Sequence, residues 1–386
     1  MKIRILVTGG GSSGHISPAL AIIQTLRDIA ARSDFQLEFL YVGGKRGLEK
    51  SLVEAQNIPF LGVETGKLRR YFSRENFTDI ARVPVGIAQS LRAVKKFAPD
   101  VVLATGGYVA VPTVLAARIL RVPILIHEQT VQIGLANRIA ARCATSIALS
   151  FPSALEELSQ SQKRKAWISG NPVRDLIFNG DKAEGARLAK FEGEDLPSVY
   201  ITGGSQGARV INRAVESSLS QLLQFCRIIH QCGQQPQGTE QDFDRLQQVA
   251  GNLPQDLQRR YHLTRFVGAE IPHVFALADL VVSRAGAGTI AEICALGKPA
   301  IYIPLVPTGG DEQTRNAQMC VEAGAAQIIA QSELDGDTLC AAMRNALENR
   351  AKLAAMGAAA QTLAKPDAAR DLANAVLELA QKSTPE

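Results

Sequence analysis

Two glycine-rich stretches have the residue types and spacing that phosphate binding needs. Residues 8–15 read Thr-Gly-Gly-Gly-Ser-Ser-Gly-His, and residues 202–209 read Thr-Gly-Gly-Ser-Gln-Gly-Ala-Arg. Each follows a short apolar run and precedes a helical pattern. Glycine permits positive φ and close approach of a ligand, and a helix N-terminus offers free N–H groups and a partial positive charge. We therefore predict paired Rossmann-like domains with a diphosphate ligand at the cleft between them.

The elements that must position these loops alternate along the chain as short apolar runs and longer helical patterns. Such runs are typical of parallel strands that helices cover on both faces. The predicted strands are residues 3–7, 37–42, 101–104, 124–127, 146–149, 199–201, 227–231, 263–266, 280–283 and 300–304. The clearest predicted helices are residues 18–31, 109–120, 289–296, 313–323 and an Ala-rich stretch over 338–363. The alternation predicts an α/β protein with a parallel sheet in each half.

The length of the chain, 386 residues, favours two domains over one core. The Asn171-Pro172 step disfavours regular structure and puts the predicted boundary near residue 169. The predicted domains are residues 1–168 and 169–367, with a last helix over 368–382 as a candidate to pack back on the first domain. Residues 182–197 are predicted to be a solvated lead-in to the second domain.

Composition describes an ordinary soluble protein, with 46% hydrophobic and 20% charged residues. A net charge of +5 is too small to argue for nucleic acid without a localised patch. The six cysteines include no CxxC pair, which favours reduced, buried thiols in a cytoplasmic protein. The N-terminus has no leader pattern, and no apolar run approaches the roughly 20 residues that span a bilayer. We therefore expect a soluble protein, or one attached to a membrane surface.

One stretch, residues 67–97, departs from the alternating pattern because cations and apolar side chains are interleaved in it. It is open to two interpretations, a solvated helix with an ordinary core face, or a surface that meets anionic lipid. The predicted membrane contacts are Arg69, Arg70, Tyr71, Phe72, Phe77, Arg82, Lys95 and Lys96.

Further motifs follow in a fixed order. They are Gly106-Gly107-Tyr108, His127-Glu128-Gln129, the stretches 170–174 and 203–208, the stretch 283–289 that runs into a helix bearing Glu292, and residues 311–313. In this order the series resembles the MurG family of peptidoglycan glycosyltransferases, from about residue 3 to about residue 330. A single motif would be weak, whereas six in register are specific.

The resemblance implies the GT-B fold, in which two Rossmann-like domains face a deep cleft. It implies inverting transfer of N-acetylglucosamine from UDP-N-acetylglucosamine to the C4 hydroxyl of undecaprenyl-diphospho-muramoyl-pentapeptide, with no cofactor and no metal. This is the last cytoplasmic step in making the lipid-linked peptidoglycan precursor, with consequences for cell shape and division. The implied location is the cytoplasmic face of the cell membrane, as a peripheral protein. The implied partners are an anionic membrane surface and other cell-wall synthesis proteins, but no nucleic acid.

The resemblance also assigns the donor-binding residues, and their chemistry agrees with the assignment. A helix-borne carboxylate, Glu292, can accept both ribose hydroxyls, and the fork of Arg174 suits a diphosphate. The Gln313 amide can read a sugar hydroxyl as donor or acceptor. The full donor set is Ser12, Ser13, Gly14, Thr130, Asn137, Arg174, Ser205, Gln206, Val267, Ala287, Gly288, Thr289, Ile290, Ala291, Glu292 and Gln313. The Asp-x-Asp pairs at 242–244 and 335–337 lack an apolar strand leading into them, which agrees with the expected metal independence.

Acceptor activation requires a base. His15 ends the first glycine loop, and an imidazole suits proton abstraction, while Glu128 is a rival base or an orienting group. The predicted acceptor site is Gly11, Gly106, Gly107 and Tyr108, with residues 12–14 also cradling the acceptor's diphosphate. Thr130 departs from the family's asparagine and Ser13 from its usual glycine or alanine.

Two alternatives stay open at this point. One is another GT-B enzyme, either a transferase to a different lipid or a UDP-N-acetylglucosamine epimerase. The other is a non-catalytic membrane scaffold that keeps the fold.

Overall fold

The computed structural model describes residues 2–45, 47, 49–66, 75–191, 195–234, 241–306 and 311–382. The chain forms two compact units, Met1–Val173 together with Lys365–Glu386, and Arg174–Ala364. Each unit is built on a parallel sheet with helices packed against it, which confirms the predicted α/β class.

The strands of the first unit, within the described ranges, are β1 (Lys2–Thr8), β2 (Gln36–Gly44), β3 (Phe60–Val63), β4 (Val101–Ala104), β5 (Ile124–Glu128), β6 (Ser146–Leu149) and β7 (Ala166–Ile168). Their order in the sheet is β3-β2-β1-β4-β5-β6-β7. The register pairs Thr8 with Ala104, and Ala104 with Ile126, so β1, β4 and β5 end at one edge. All five strands predicted for this half are confirmed, and β3 and β7 were not predicted.

The helices of the first unit that precede the second are α1 (Ser13–Ala30), α2 (Glu49–Glu54), α3 (Glu75–Phe97), α4 (Ala110–Ile119), α5 (Leu135–Cys143) and α6 (Gln160–Lys163). They cover both faces of the sheet. Ile5 and Val7 of β1 pack with Leu26 of α1, whereas Leu6 joins a cluster that includes Val114 of α4. Successive side chains of a strand point to opposite faces, which explains why β1 is almost continuously apolar.

The strands of the second unit, in the part of the chain described, are β8 (Ser198–Thr202), β9 (Arg227–Gln231), β10 (Tyr261–Thr264), β11 (Leu280–Ser283), β12 (Ala300–Tyr302) and β13 (Ala326–Ile328). Their order is β10-β9-β8-β11-β12-β13. Thr202 pairs with Gln231 and with Ser283, so the ends of β8, β9 and β11 share an edge. The five strands predicted here are confirmed, with β10 two residues earlier than expected, and β13 was not predicted.

The helices of the second unit are α7 (Lys182–Ala189), α8 (Arg209–Leu222), α9 (Asp242–Gly251), α10 (Gln255–Gln258), α11 (Ile271–Leu277), α12 (Ala287–Ala295), α13 (Glu312–Glu322), α14 (Gly336–Glu348) and α15 (Arg350–Leu363). Two expectations were wrong. The predicted solvated lead-in contains α7, whose Asp181 side chain caps the Glu184 N–H. The Ala-rich stretch is two helices, because Asn349 leaves helical geometry and caps α15 through Lys352 N–H.

The last helix, α16 (Ala368–Gln381), belongs to the first unit. Its Leu372 and Val376 pack in the same apolar cluster as Ile22 and Leu26 of α1. All six cysteines are free thiols, as predicted, and only Cys143 is not fully buried. No helix among the described residues combines the length and apolarity needed to cross a membrane.

Candidate active site

The predicted binding residues follow the carboxyl ends of the strands in each unit. The first unit presents there the loops after β1, β4 and β5, and the second presents the loops after β8, β9 and β11. Open α/β sheets bind ligands at this edge. The fold therefore provides one candidate surface on each unit.

Two glycine loops of the first unit interlock. Gly107 has φ +81°, and a Cβ added there would lie 2.0 Å from the Gly10 carbonyl oxygen. The Gly10 N–H donates to the Gly106 carbonyl oxygen at 3.3 Å, and a Cβ on Gly11 would lie 2.7 Å from Tyr108 Cε1. A side chain at either position would separate the loops. The four predicted acceptor-binding residues therefore lie together.

His15 lies in the first turn of α1, beside these loops. Its Nδ1 is 2.8 Å from Gln129 Oε1 and 3.1 Å from the Thr105 carbonyl oxygen. Both neighbours are oxygens that accept, so the proton of the neutral imidazole is on Nδ1. Nε2 keeps its lone pair, and no hydrogen bond from a described residue occupies it. This is the nitrogen available to take a proton.

Glu128 is in a different situation, because its carboxylate is buried and fully engaged. Oε1 accepts from the Thr130 N–H at 3.1 Å and lies 3.0 Å from the Thr130 hydroxyl, whose one proton also has the Gln132 carbonyl oxygen as an acceptor at 2.5 Å. Oε2 accepts from the Gly134 N–H and from Asn137 Nδ2, both at 3.0 Å. Thr130 and Asn137, both predicted donor contacts, thus direct these groups at Glu128. The Glu128 carboxylate therefore links the loop after β5 to α5. Of the two candidate bases, His15 is the one with a nitrogen free of hydrogen bonds from described residues.

The second glycine loop, residues 202–209, lies in the second unit and is supported by the end of β9. The Gly204 carbonyl oxygen accepts from Gln231 Nε2 at 3.0 Å, at the end of β9. Gly207 has φ +74°, and a Cβ added there would lie 1.9 Å from a backbone oxygen of the segment after β9. Ser205 and Gln206 are exposed at the tip of the loop. Backbone and hydroxyl groups of the loop are thus presented outward.

The N-terminus of α12 follows β11 directly and is uncapped by side chains. Gly286 is the N-cap, and no side-chain cap hydrogen bond is formed there within the part of the chain that the structure describes. Ala287, Gly288 and Thr289 form that turn, where N–H groups lack intrahelical partners. A Cβ on Gly288 would meet no atom within 4 Å. The site suits an anion, although the side chain of Ile290 itself is buried in the core.

Glu292, one turn further along α12, forms an ion pair with Arg174. Arg174 Nη2 donates to Glu292 Oε1 at 3.0 Å, and the two side chains are 44% and 21% exposed. Burial raises the pKa of the Glu292 carboxyl above its ordinary value, and the Arg174 charge opposes that rise. The pair therefore joins the two charged groups predicted to hold the nucleotide.

Two further residues predicted to bind the nucleotide sugar, Val267 and Gln313, each have one polar group already in a hydrogen bond. The Val267 N–H donates to Gln231 Oε1 at 2.9 Å, and Gln313 Oε1 accepts from the Leu305 N–H at 3.0 Å. Among the described residues no acceptor is bonded to the Gln313 side-chain NH₂. Gln231 thus supports both the backbone at Val267 and the second glycine loop.

Sequence reasoning missed the supporting roles of Gln129, Gln231 and Thr105. Each lies at the carboxyl end of a strand or one position beyond it, which is the signal that could have found them. Each hydrogen-bonds to a glycine loop or to His15 rather than projecting outward.

The structure describes only part of the predicted membrane surface. Arg69, Arg70, Tyr71 and Phe72 lie outside the described residues, and so do the side chains of Ser13 and Phe77. Arg82 is half-buried on α3, while Lys95 and Lys96 are exposed at its C-terminal end. Within the described ranges, no three His, Cys, Asp or Glu side chains group as metal ligands would. Metal independence stays a prediction.

Comparison with protein families gives two matches that together span most of the chain. Residues 5–149 match the glycosyltransferase family 28 N-terminal domain, and residues 198–372 match the family 28 C-terminal domain.

Individual proteins similar to this chain point to the same family. The chain is 35% identical over 354 residues to a Clostridium perfringens protein, covering 91% of this chain and 92% of the relative. That protein is named UDP-N-acetylglucosamine--N-acetylmuramyl-(pentapeptide) pyrophosphoryl-undecaprenol N-acetylglucosamine transferase. The crystal structure of Acinetobacter baumannii MurG matches with a TM-score of 0.74 and 26% identity, covering 97% of this chain and 99% of that one. A Neisseria meningitidis UDP-GlcNAc 2-epimerase bound to UDP-GlcNAc matches with a TM-score of 0.66 and 13% identity, covering 98% of this chain and all of that one, which shows the fold alone.

Proposed function

The chain belongs to glycosyltransferase family 28, among the pyrophosphoryl-undecaprenol N-acetylglucosamine transferases called MurG, and we propose that it carries out their transfer. N-acetylglucosamine passes from UDP-N-acetylglucosamine to the C4 hydroxyl of undecaprenyl-diphospho-muramoyl-pentapeptide, with inversion at the sugar carbon. The observation that carries this proposal is 35% identity to such a transferase over 91% of the chain.

His15 activates the acceptor in this proposal. Nε2 takes the proton of the C4 hydroxyl as its oxygen bonds to C1 of the donor sugar. The bond between C1 and the diphosphate oxygen breaks, and its electron pair leaves with UDP. Support comes from Nδ1, which two accepting oxygens keep protonated so that Nε2 is free.

The second unit binds the donor and stabilises the leaving group. The N–H groups at the start of α12 and the tip of the second glycine loop face the diphosphate, where negative charge grows during transfer. Glu292 accepts from the ribose hydroxyls, and Arg174 turns from Glu292 to the diphosphate. The NH₂ of Gln313, which has no acceptor among described residues, donates to the transferred sugar. Charge on UDP is met by these groups, so turnover needs no metal.

The exposed side of α3 meets the membrane surface that holds the lipid-linked acceptor. Val85, Arg92 and Lys96 are exposed at helical spacings of seven and four residues, and therefore share one face. Val85 is 48% exposed, and Lys95, next to Lys96, adds a third exposed cation. An apolar side chain beside cations suits an anionic lipid surface.

The test is release of UDP from UDP-N-acetylglucosamine in EDTA, with and without a short-chain lipid-diphospho-muramoyl-pentapeptide. We expect release only with the acceptor, together with a β-linked disaccharide. Release without the acceptor, with an epimerised or hydrolysed sugar, would contradict the proposal and favour the epimerase. UDP binding with no release would contradict it in favour of a scaffold.

A further inference from the structure

The buried side chain of Gln129 contacts His15 and has its amide orientation fixed by its other neighbours. It is 2% exposed and follows β5 directly. Its Nε2 is 2.7 Å from the Thr105 carbonyl oxygen, 3.1 Å from the His127 carbonyl oxygen and 3.1 Å from His127 Nδ1. Both carbonyls can only accept, so this end of the amide must be the NH₂ group.

The His127 ring is held as an acceptor toward Gln129. Its Nε2 is 3.0 Å from the Gly170 carbonyl oxygen and 3.2 Å from Ser150 Oγ. Since a carbonyl only accepts, Nε2 carries the proton and Nδ1 presents a lone pair to Gln129. Complete burial lowers the pKa of His127 to about 4, so the ring is neutral near pH 7.

The opposite end of the amide faces His15. Turning the Gln129 amide over would set Oε1 against three acceptors, which is repulsive. Oε1 therefore stays 2.8 Å from His15 Nδ1, where it accepts the ring N–H. The contacts that run from His127 through Gln129 to His15 thus give Nδ1 its nearer acceptor, and the Thr105 carbonyl oxygen, 3.1 Å from Nδ1, is the second.

We propose that Gln129 is a positioning residue that keeps His15 in the Nδ1-protonated tautomer, so that Nε2 can accept the proton of the acceptor hydroxyl. The inference rests on the proposed function, in which His15 is the base. Gln129 itself touches neither substrate nor the reacting atoms in this account. An orienting group of this kind matters because the wrong tautomer presents an N–H where a lone pair is required.

The direct test is the ¹⁵N NMR spectrum of histidine-labelled protein at pH 8. The chain has five histidines, and the spectrum of His15→Ala identifies the signals of His15. In the wild type we expect a protonated Nδ1 and an unprotonated Nε2. In Gln129→Met, which keeps the length of the side chain but loses both polar ends, the Thr105 carbonyl oxygen is the one acceptor left to Nδ1, and we expect a fraction of the ring to become protonated on Nε2. A wild-type His15 protonated on Nε2 would overturn the proposal, and so would an unchanged spectrum in Gln129→Met.

Kinetics separate positioning from a merely structural role. Gln129→Met should lower kcat about 10- to 100-fold while the KM for UDP-N-acetylglucosamine stays within about twofold. In the His15→Ala background the same substitution should cost nothing further, because there is no imidazole left to orient. Equal losses in both backgrounds would overturn the proposal. Thr113→Val is the control, since it removes a buried polar group of the same unit whose hydroxyl pairs with Ser90 at 3.3 Å.

The two proposals fail in different ways. If His15→Ala retained full kcat, the assignment of the base would fail, while the tautomer spectrum would still judge the role of Gln129. If Gln129→Met did not fold, the wild-type spectrum would still test the proposal. A His15 ring protonated on Nδ1 alone would support it, and any other protonation state would overturn it.

Discussion

Arg174 and Glu292 hold each other at 3.0 Å, so the two charged residues predicted for donor binding neutralise one another before a nucleotide binds. Donor binding in this account exchanges one ion pair for two separate contacts, Arg174 with the diphosphate and Glu292 with the ribose. Because Arg174 is 44% exposed, the ion pair itself contributes little to stability. The pair instead keeps both side chains near the start of α12.

Replacing Arg174 by Ala should weaken UDP-N-acetylglucosamine binding while the fold is retained. Loss of a charge-assisted hydrogen bond costs about 1.5–3 kcal/mol, which is roughly 10- to 150-fold in Kd. Isothermal titration measures it. Arg187→Ala, which breaks an exposed pair with Glu184 in the same unit, is the control and should bind normally. Equal affinity in Arg174→Ala would remove this residue from the donor site.

The raised pKa of Glu292 predicts that the affinity for the donor falls at acidic pH, and we call this fall the acid limb. The ionised carboxylate accepts from the ribose, so binding weakens as pH falls through the pKa of Glu292, above the 4.5 of an ordinary glutamate. Removing Arg174 takes away the charge that opposes the rise, and should move the limb to still higher pH. Glu292→Gln should bind more weakly, by about 1–3 kcal/mol, and show no such limb. Titrations across pH decide this, and a limb that persists in Glu292→Gln would assign it to another group.

A substitution at Gly288 can separate an effect on the stability of the fold from an effect on ligand affinity. A Cβ there meets no atom within 4 Å, so Gly288→Ala should leave the Tm unchanged or slightly higher. The added methyl would nonetheless stand where a diphosphate approaches α12, and affinity should fall by about 1 kcal/mol or more, roughly fivefold. Gly251→Ala, equally unobstructed at the end of α9, is the control. Normal UDP binding by Gly288→Ala would place the diphosphate elsewhere.

The lipid-facing role of α3 is tested by Lys95→Ala combined with Lys96→Ala. Each cation near an anionic surface contributes about 1 kcal/mol, so loss of two should weaken partition into phosphatidylglycerol vesicles about 30-fold. The control pair, Arg32→Ala with Lys50→Ala, removes the same charge from exposed positions of the same unit. Sedimentation with vesicles gives the comparison. If both pairs lost binding equally, net charge rather than this surface would be responsible.

The sequence predicted the central strands and missed the margins of the sheets. The unpredicted strands β3, β7 and β13 are all edge strands, and the one misplaced strand, β10, is an edge strand too. These edge strands are short and only partly buried: β7 and β13 have three residues each, and β3 and β13 contain Gly62 and Gln327, whereas all four residues of the central strand β4 are buried and apolar. The sequence pattern of these edge strands is therefore weak because little of each strand is buried.

Site residues show a similar division. Glycine loops and His15 could be found from spacing, because loop conformation and helix starts are local properties. The engagement of Glu128 by Thr130 and Asn137 could not, since it depends on how β5, its loop and α5 pack. Nor could the support that Gln231 gives to Gly204, which joins the ends of two different strands.

The most direct test of the central claim is kcat of His15→Ala with saturating lipid-linked acceptor, measured beside its Kd for UDP-N-acetylglucosamine. Loss of a general base should lower kcat about 10²- to 10⁴-fold and leave the donor Kd unchanged, because Arg174, Glu292 and Gln313, which hold the donor in the proposed function, all lie in the second unit. A kcat close to that of the wild type, or a loss matched by an equal loss of donor affinity, would contradict the assignment of His15 as the base.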